Sequence, residues 1–147
     1  MLARTFAESI YGHLIEEISD LMLMENFQEP ILIPVPLSKS RMRERGFNQA
    51  ELICNNITKL DEGKNLTLLK NVLIKIKGTK HQARIENRRE RLKNIIGSFS
   101  LVNSELIKNR NIILIDDVIT TGATLFEARK VLKRGGARKV IAFTVAH

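Results

Sequence analysis

Two adjacent carboxylates, Asp116 and Asp117, follow the unbroken apolar run Ile112, Ile113, Leu114 and Ile115, and just beyond them come Thr120, Thr121, Gly122, Ala123 and Thr124. An apolar run without alternation marks a strand buried on both faces, so both acids emerge where such a strand leaves its sheet. Glycine lets the backbone approach a ligand closely, and threonine hydroxyls add donors. A helix opening at this point turns its unpaired N–H groups and its dipole on an anion. Carboxylates beside an anion cradle repel the anion unless they face hydroxyl donors or Mg²⁺. The segment therefore suits a sugar phosphate, with its hydroxyls on Asp116 and Asp117 and its phosphate on the turn. The same residues suit a plainer arrangement, in which the acids end a strand and Thr121 or Thr124 caps a helix. The chemistry of the segment alone leaves both open.

The elements that must hold this segment are legible in the flanking sequence. Phe6, Ile10, Leu14, Ile18 and Leu21, with Glu16, Glu17 and Asp20 between them, predict an amphipathic helix over residues 2–25. After Pro30, the apolar residues 31–33 predict a buried strand. Residues before proline are pushed toward extended conformations, which keeps the chain straight as far as Pro36, with a turn at residues 37–40. Phe47, Ala50, Cys54 and Ile57 share one face of a helix expected over residues 45–60. The alternating LIKIK predicts a strand with one wet face near residues 72–77, RIENRRERLKN a helix, and IIGSFSLV a further strand. NIILID predicts a strand with a core of four apolar residues. TLFEARKVLKRGG follows as a helix with Leu125, Ala128, Val131 and Leu132 inward, and KVIAFTVA is the last strand. Strand and helix in alternation with short connections predict an α/β fold, a mostly parallel twisted sheet with helices on both faces. Such sheets bind ligands at the carboxyl ends of their strands. No repeat or linker interrupts the chain, so residues 1–147 are expected to form a single domain.

Composition narrows the partners. The chain has 147 residues and a formal charge of +8, which favours polyanions, whether phosphorylated small molecules or nucleic acid. Aromatic residues make up 5% and tryptophan is absent, so the stacking platforms of single-strand binders are scarce. A single cysteine, Cys54, excludes a disulfide within the chain and a cysteine zinc site. With no stretch of 18 apolar residues and no signal-like N-terminus, the expected setting is the cytoplasm, away from membranes.

ILIDDVITTGAT resembles the phosphoribosyl pyrophosphate (PRPP) signature of type I phosphoribosyltransferases in its apolar run, both acids, the paired threonines, the glycine and the last threonine. IPVPLSKSRMRERGFNQAELI and QARIENRRERLKNIIGSF are similar to segments of the competence protein F (ComF) family, so the likeness extends from about residue 30 to the end. The resemblance implies a type I phosphoribosyltransferase-like fold, with Asp116 and Asp117 on the ribose hydroxyls and Thr120, Thr121, Gly122, Ala123 and Thr124 on the 5′-phosphate. Leu37, Ser38 and Lys39 would face the pyrophosphate. Arg43, Arg45 and the basic stretch around Lys77, Lys80, Arg88, Arg89 and Arg91 would neutralise it as it leaves, with Arg45 the first choice as a catalytic group. Gln82 and Asn94 would order a flexible loop over the site. Mg²⁺ would enter with PRPP rather than through cysteine or histidine ligands.

The chain also departs from the family. Members commonly begin with a cysteine-rich zinc-binding module, and the absence of any CxxC pair leads to the expectation of a chain without that module and without zinc. Some purine transferases of this fold carry an aspartate where Thr120 stands, and a threonine cannot take a proton at neutral pH. His81 is the alternative base, as a lone surface histidine. The few residues after the last strand leave little for a base-recognising hood, so the acceptor, an amine or a nucleobase, is unassigned. Two functions remain open: phosphoribosyl transfer, and a non-catalytic PRPP- or nucleotide-binding role in competence and DNA uptake, with single-stranded DNA and a helicase as partners.

Overall fold

The computed structural model describes residues 2–24, 26–76, 89, 93, 95–117 and 122–144. At its centre lies β5 (Asn111–Asp116), the strand in which the apolar run ends on Asp116. β5 pairs in parallel with β1 (Ile31–Pro34) on one side and β6 (Lys139–Thr144) on the other, while the two-residue β2 (Thr67–Leu68) extends the sheet beyond β1. Residues 112–115 are fully buried, yet successive side chains point to opposite faces. Ile113 and Ile115 join Leu32 in one core, and Ile112 and Leu114 join Ile31, Ile33 and Val140 in the other. The unbroken apolar run is thus two alternating sets, each covered by its own layer.

The first layer is helical. α1 (Leu2–Met24) contributes Leu14 and Ile18, and α3 (Gln49–Leu60) contributes Ile53, Cys54 and Ile57. Asn56 Nδ2 donates to the Tyr11 hydroxyl at 3.1 Å and ties the two helices together. Burial foremost, and then the nearby Glu51 carboxylate, push the Cys54 thiol up to about 12. Cys54 is therefore a packing residue, since reactivity requires the thiolate. On the opposite face, α4 (Ala123–Arg134) turns Leu125, Ala128 and Leu132 inward, with Val131 half-buried against the same core. Beside it stands a separate antiparallel pair, β3 (Leu73–Lys75) and β4 (Phe99–Leu101). Among the described residues, no helix is long and apolar enough to cross a membrane.

Several expected boundaries move. The turn at residues 37–40 is the start of a short helix, α2 (Lys39–Arg45), whose N-cap is Ser38, and the helix expected over 45–60 begins only at Gln49. The break has two causes: Gly46 takes a left-handed φ of 78° that ends α2, and Asn48 caps α3 through its side chain. Phe47 consequently falls between the helices and is exposed, and Ile53 takes its expected place in the buried stripe. The strand expected across IIGSFSLV shrinks to β4 because Gly97, at φ 75°, turns the chain just before it. Both edges escaped the periodicity argument because helix and strand limits are set by caps and turns rather than by the apolar pattern.

Candidate functional site

The parallel register between β1 and β5 sets Pro34 opposite Ile115, and Val35 N donates to Ile115 O at 2.8 Å. The chain leaving β1 through residues 35–39 therefore runs beside Asp116 and Asp117 at the carboxyl end of the sheet. Ser38 is buried and accepts from Arg41 N at 3.3 Å, which starts α2 and fixes the path of Leu37 and Lys39. Asn48 holds the other end of this loop. Its Oδ1 accepts from Ala50 N at 3.0 Å, and its Nδ2 donates to Val35 O at 3.1 Å. Replacing Asn48 by alanine is expected to cost about 1–2 kcal/mol through loss of the cap. Asn48→Asp should keep the cap but lose the donor to Val35, and urea unfolding of the two variants checks the split.

Asp116 and Asp117 are both half-buried, and Asp117 N donates to Asp116 Oδ1 at 2.8 Å. Desolvation above all, then the hydrogen bond that the protonated carboxyl donates to the Asp117 side chain and the charge of Asp117, raise Asp116 to about 7, with the Asp117 backbone N–H and Lys75 pulling the other way. The second carboxylate meets a cation: Arg45 Nη1 lies 3.9 Å from Asp117 Oδ2. The structure thus brings Arg45 to the acid pair. Arg43 is exposed, and its Nε points back to Lys39 O at 3.5 Å.

Further along the chain, Gly122 is the N-cap of α4 with φ 77°, a conformation that favours glycine, and it has no side-chain cap hydrogen bond. Thr124 is half-buried within the first turn of α4 rather than capping it. Thr120 and Thr121 lie outside the described residues, as do Lys77, Lys80, His81, Gln82, Arg88, Arg91 and Asn94; Arg89 is helical and exposed.

A cavity of about 650 Å³ opens over the carboxyl end of β1, lined by residues 36–40, Asn48, Glu51, Lys70 and the β3 residues Leu73, Ile74 and Lys75. Lys70 and Glu51 pair across its wall at 3.3 Å. Nothing in the local sequence pattern singles out Lys75, Asn48 or this pair. LIKIK placed Lys75 on a wet face, but its side chain is half-buried and its charge is felt at Asp116. Only the docking of the β3–β4 pair beside the sheet makes it part of the site.

Residues 64–147 match the family model described as "Phosphoribosyl transferase domain". The chain belongs to this family. The ComF resemblance holds as well: Competence protein F of Haemophilus influenzae is 38% identical over 112 residues, covering 74% of this chain and 46% of that protein. Competence protein ComFC of Bacillus subtilis is 39% identical over 118 residues, covering 78% and 43%. The DNA utilization protein YhgH of Escherichia coli K12 is 32% identical over 116 residues, 74% of this chain and 45% of that one. The phosphoribosyl transferase-family chain thus spans about half the length of the curated relatives it matches. Its fold is that of solved hypoxanthine phosphoribosyltransferases. The Leishmania donovani hypoxanthine-guanine enzyme matches with a TM-score of 0.55 at 11% identity, covering 94% of this chain and 66% of that one. The Staphylococcus aureus enzyme matches with 0.52 at 16%, covering 96% and 68%.

Proposed function

We propose that this phosphoribosyl transferase-family chain binds PRPP together with Mg²⁺ and transfers its phosphoribosyl group to an amine or nucleobase. The observation that carries this is the half-buried pair Asp116–Asp117 at the end of β5, next to the strand β1 and followed in the chain by the glycine-opened start of α4. Asp117 meets Arg45, but Asp116 is raised to about 7, so the protein itself neutralises the pair only in part. Ribose hydroxyls, as donors, would relieve them. The donor set also suits Mg²⁺ as the family uses it. Among the described residues no group of three or more potential metal-ligating side chains is present, and Mg²⁺ is commonly held by one or two carboxylates plus substrate phosphates. Bound there, the ion would offset charge on the diphosphate.

In this reading Asp116 and Asp117 orient the ribose, and the first turn of α4 takes the 5′-phosphate by its N–H groups and dipole. Residues 37–39 face the diphosphate. The anomeric C–O bond to pyrophosphate breaks and a C–N bond forms with inversion, the acceptor nitrogen losing its proton to solvent. Catalysis is then positioning and charge stabilisation, with Arg45 the cation that pairs with Asp117. Calorimetric titration of PRPP and Mg²⁺ tests this against the Asp116→Asn, Asp117→Asn double variant. Binding by the wild type that weakens at least ~100-fold in the variant supports the site, as expected from two or more charge-assisted hydrogen bonds of about 1.5–3 kcal/mol each. A folded wild-type chain that ignores PRPP would sink it, and pyrophosphate release on adding acceptors separates transfer from binding alone.

The names of the relatives, competence and DNA utilization, and the charge of +8 favour a second reading, in which the chain handles single-stranded DNA with a helicase partner during DNA uptake. Affinity for a single strand should then fall steeply between 50 and 200 mM salt, as phosphate contacts require, and persist in the double variant.

A further inference from the structure

Lys75 sits at the end of β3, outside the four-stranded sheet, yet its side chain lines the same cavity as Ser38 and Lys39 of the loop that leaves β1. Two separate pieces of backbone thus line one space, and the charge of Lys75 is felt at Asp116. The ammonium is held from below: Lys75 pairs with Phe99 across the β3–β4 register, and its Nζ lies 5.7 Å from the Phe99 ring centroid. Among the described residues no carboxylate forms a salt bridge with it, in contrast to Lys70 on the same wall, which Glu51 neutralises. Among the described residues this half-buried cation thus rests on a ring without a paired anion, an arrangement that is poorly compensated. It therefore has electrostatic capacity for an incoming anion.

We infer that Lys75 is a ligand-contacting residue of this site, its ammonium donating to the diphosphate of the bound phosphorylated sugar in the cavity it shares with Ser38 and Lys39. The inference rests on the PRPP reading for the identity of the ligand, but its chemistry is that of a diphosphate. The local charges agree with it. Desolvation first, and then Arg41, hold the Lys75 pKa below its usual 10.5, while Asp116 pulls it upward. A diphosphate would add to the pull of Asp116 and offset the repulsion from Arg41. The placement also divides the labour of the site. Asp116 and Asp117 face hydroxyl donors on one side, and Lys75 faces the anionic oxygens on the other, so that the ligand lies between opposite charges fixed on two different sheets.

Inorganic pyrophosphate with Mg²⁺ is the probe, titrated calorimetrically into the wild type, Lys75→Gln, Lys75→Arg and Lys108→Gln. Lys108 is exposed, at the other end of β5 from Asp116, and controls for the loss of one positive charge. Lys75→Gln is expected to weaken pyrophosphate at least ~tenfold, from loss of one charge-assisted contact. Lys75→Arg should stay within ~threefold and Lys108→Gln should be unchanged. Pyrophosphate should likewise raise the Tm of the wild type and of Lys75→Arg but not that of Lys75→Gln, a response that mere structural support by Lys75 would not produce. Undiminished binding by Lys75→Gln, or an equal loss in Lys108→Gln, overturns the inference. If PRPP still binds the wild type in an Asp116- and Asp117-dependent way, that result leaves the proposed function standing. A wild type that binds neither pyrophosphate nor PRPP overturns both.

Discussion

Asp116→Asn is expected to raise the melting temperature at pH 8 while removing most of the affinity for PRPP. The sign follows from the raised carboxyl. Its folded value of about 7 lies above the ordinary 3.8, so between about pH 4 and 7 the native state keeps a proton that the unfolded chain has released. Stability linked to Asp116 is therefore fully present below about pH 4, declines as pH rises through that window, and is absent above 7. Asparagine imitates the neutral form, and its oxygen can still accept from Asp117 N, which donates at 2.8 Å in the wild type. Wild type and variant should thus differ most at pH 8 and converge toward pH 4, with Asp117 and Lys75 the neighbouring charges that tune the midpoint. Thermal unfolding at pH 5, 6.5 and 8 checks this; a difference that does not change with pH would show that Asp116 carries no such cost. For the ligand the dependence reverses. Hydroxyl donors and Mg²⁺ select the ionised pair, so PRPP affinity should rise from pH 6 to 8 in the wild type and lose that rise in the variant. A residue that weakens the fold and strengthens the site is what a binding function retains against stability.

The second large effect belongs to the core. Leu114 is fully buried in β5, where it is the register partner of Ile33 in β1 and Ala142 in β6 and packs in the core beneath α4. Leu114→Ala should cost about 2–5 kcal/mol, the spread set by how far the neighbours close the void. That is a large share of the roughly 5–15 kcal/mol that holds a domain folded. Leu60→Ala, at a side chain 42% exposed near the end of α3, should change stability by about 0.5 kcal/mol or less. Urea unfolding of both against wild type measures the contrast, and equal midpoints would mean that β5 is not the centre of the cooperative unit. Because Asp116 ends the same strand, loosening Leu114 should also weaken PRPP binding, indirectly and in proportion to the lost stability.

The sequence by itself determined the strand that matters and what stands at its end. Four apolar residues without alternation followed by two acids require a strand covered on both faces, and the structure divides that run between two cores. Leu125, Ala128 and Leu132 at helical spacing likewise required α4 to follow, and the motif shared with phosphoribosyl transferases lay across the junction. These features are legible because period and polarity act over neighbouring residues. Tertiary structure alone decided the rest. Gly46 and Asn48 cut one expected helix into α2 and α3, an outcome that depends on the left-handed turn at Gly46 and on Val35, distant in sequence, receiving the Asn48 amide. Arg45 reached Asp117 only because β1 and β5 are neighbours in the sheet. Lys75, set on a wet face by its alternation, is half-buried in the fold, over the Phe99 ring of β4, because burial and field at a side chain are properties of what packs against it rather than of its own strand.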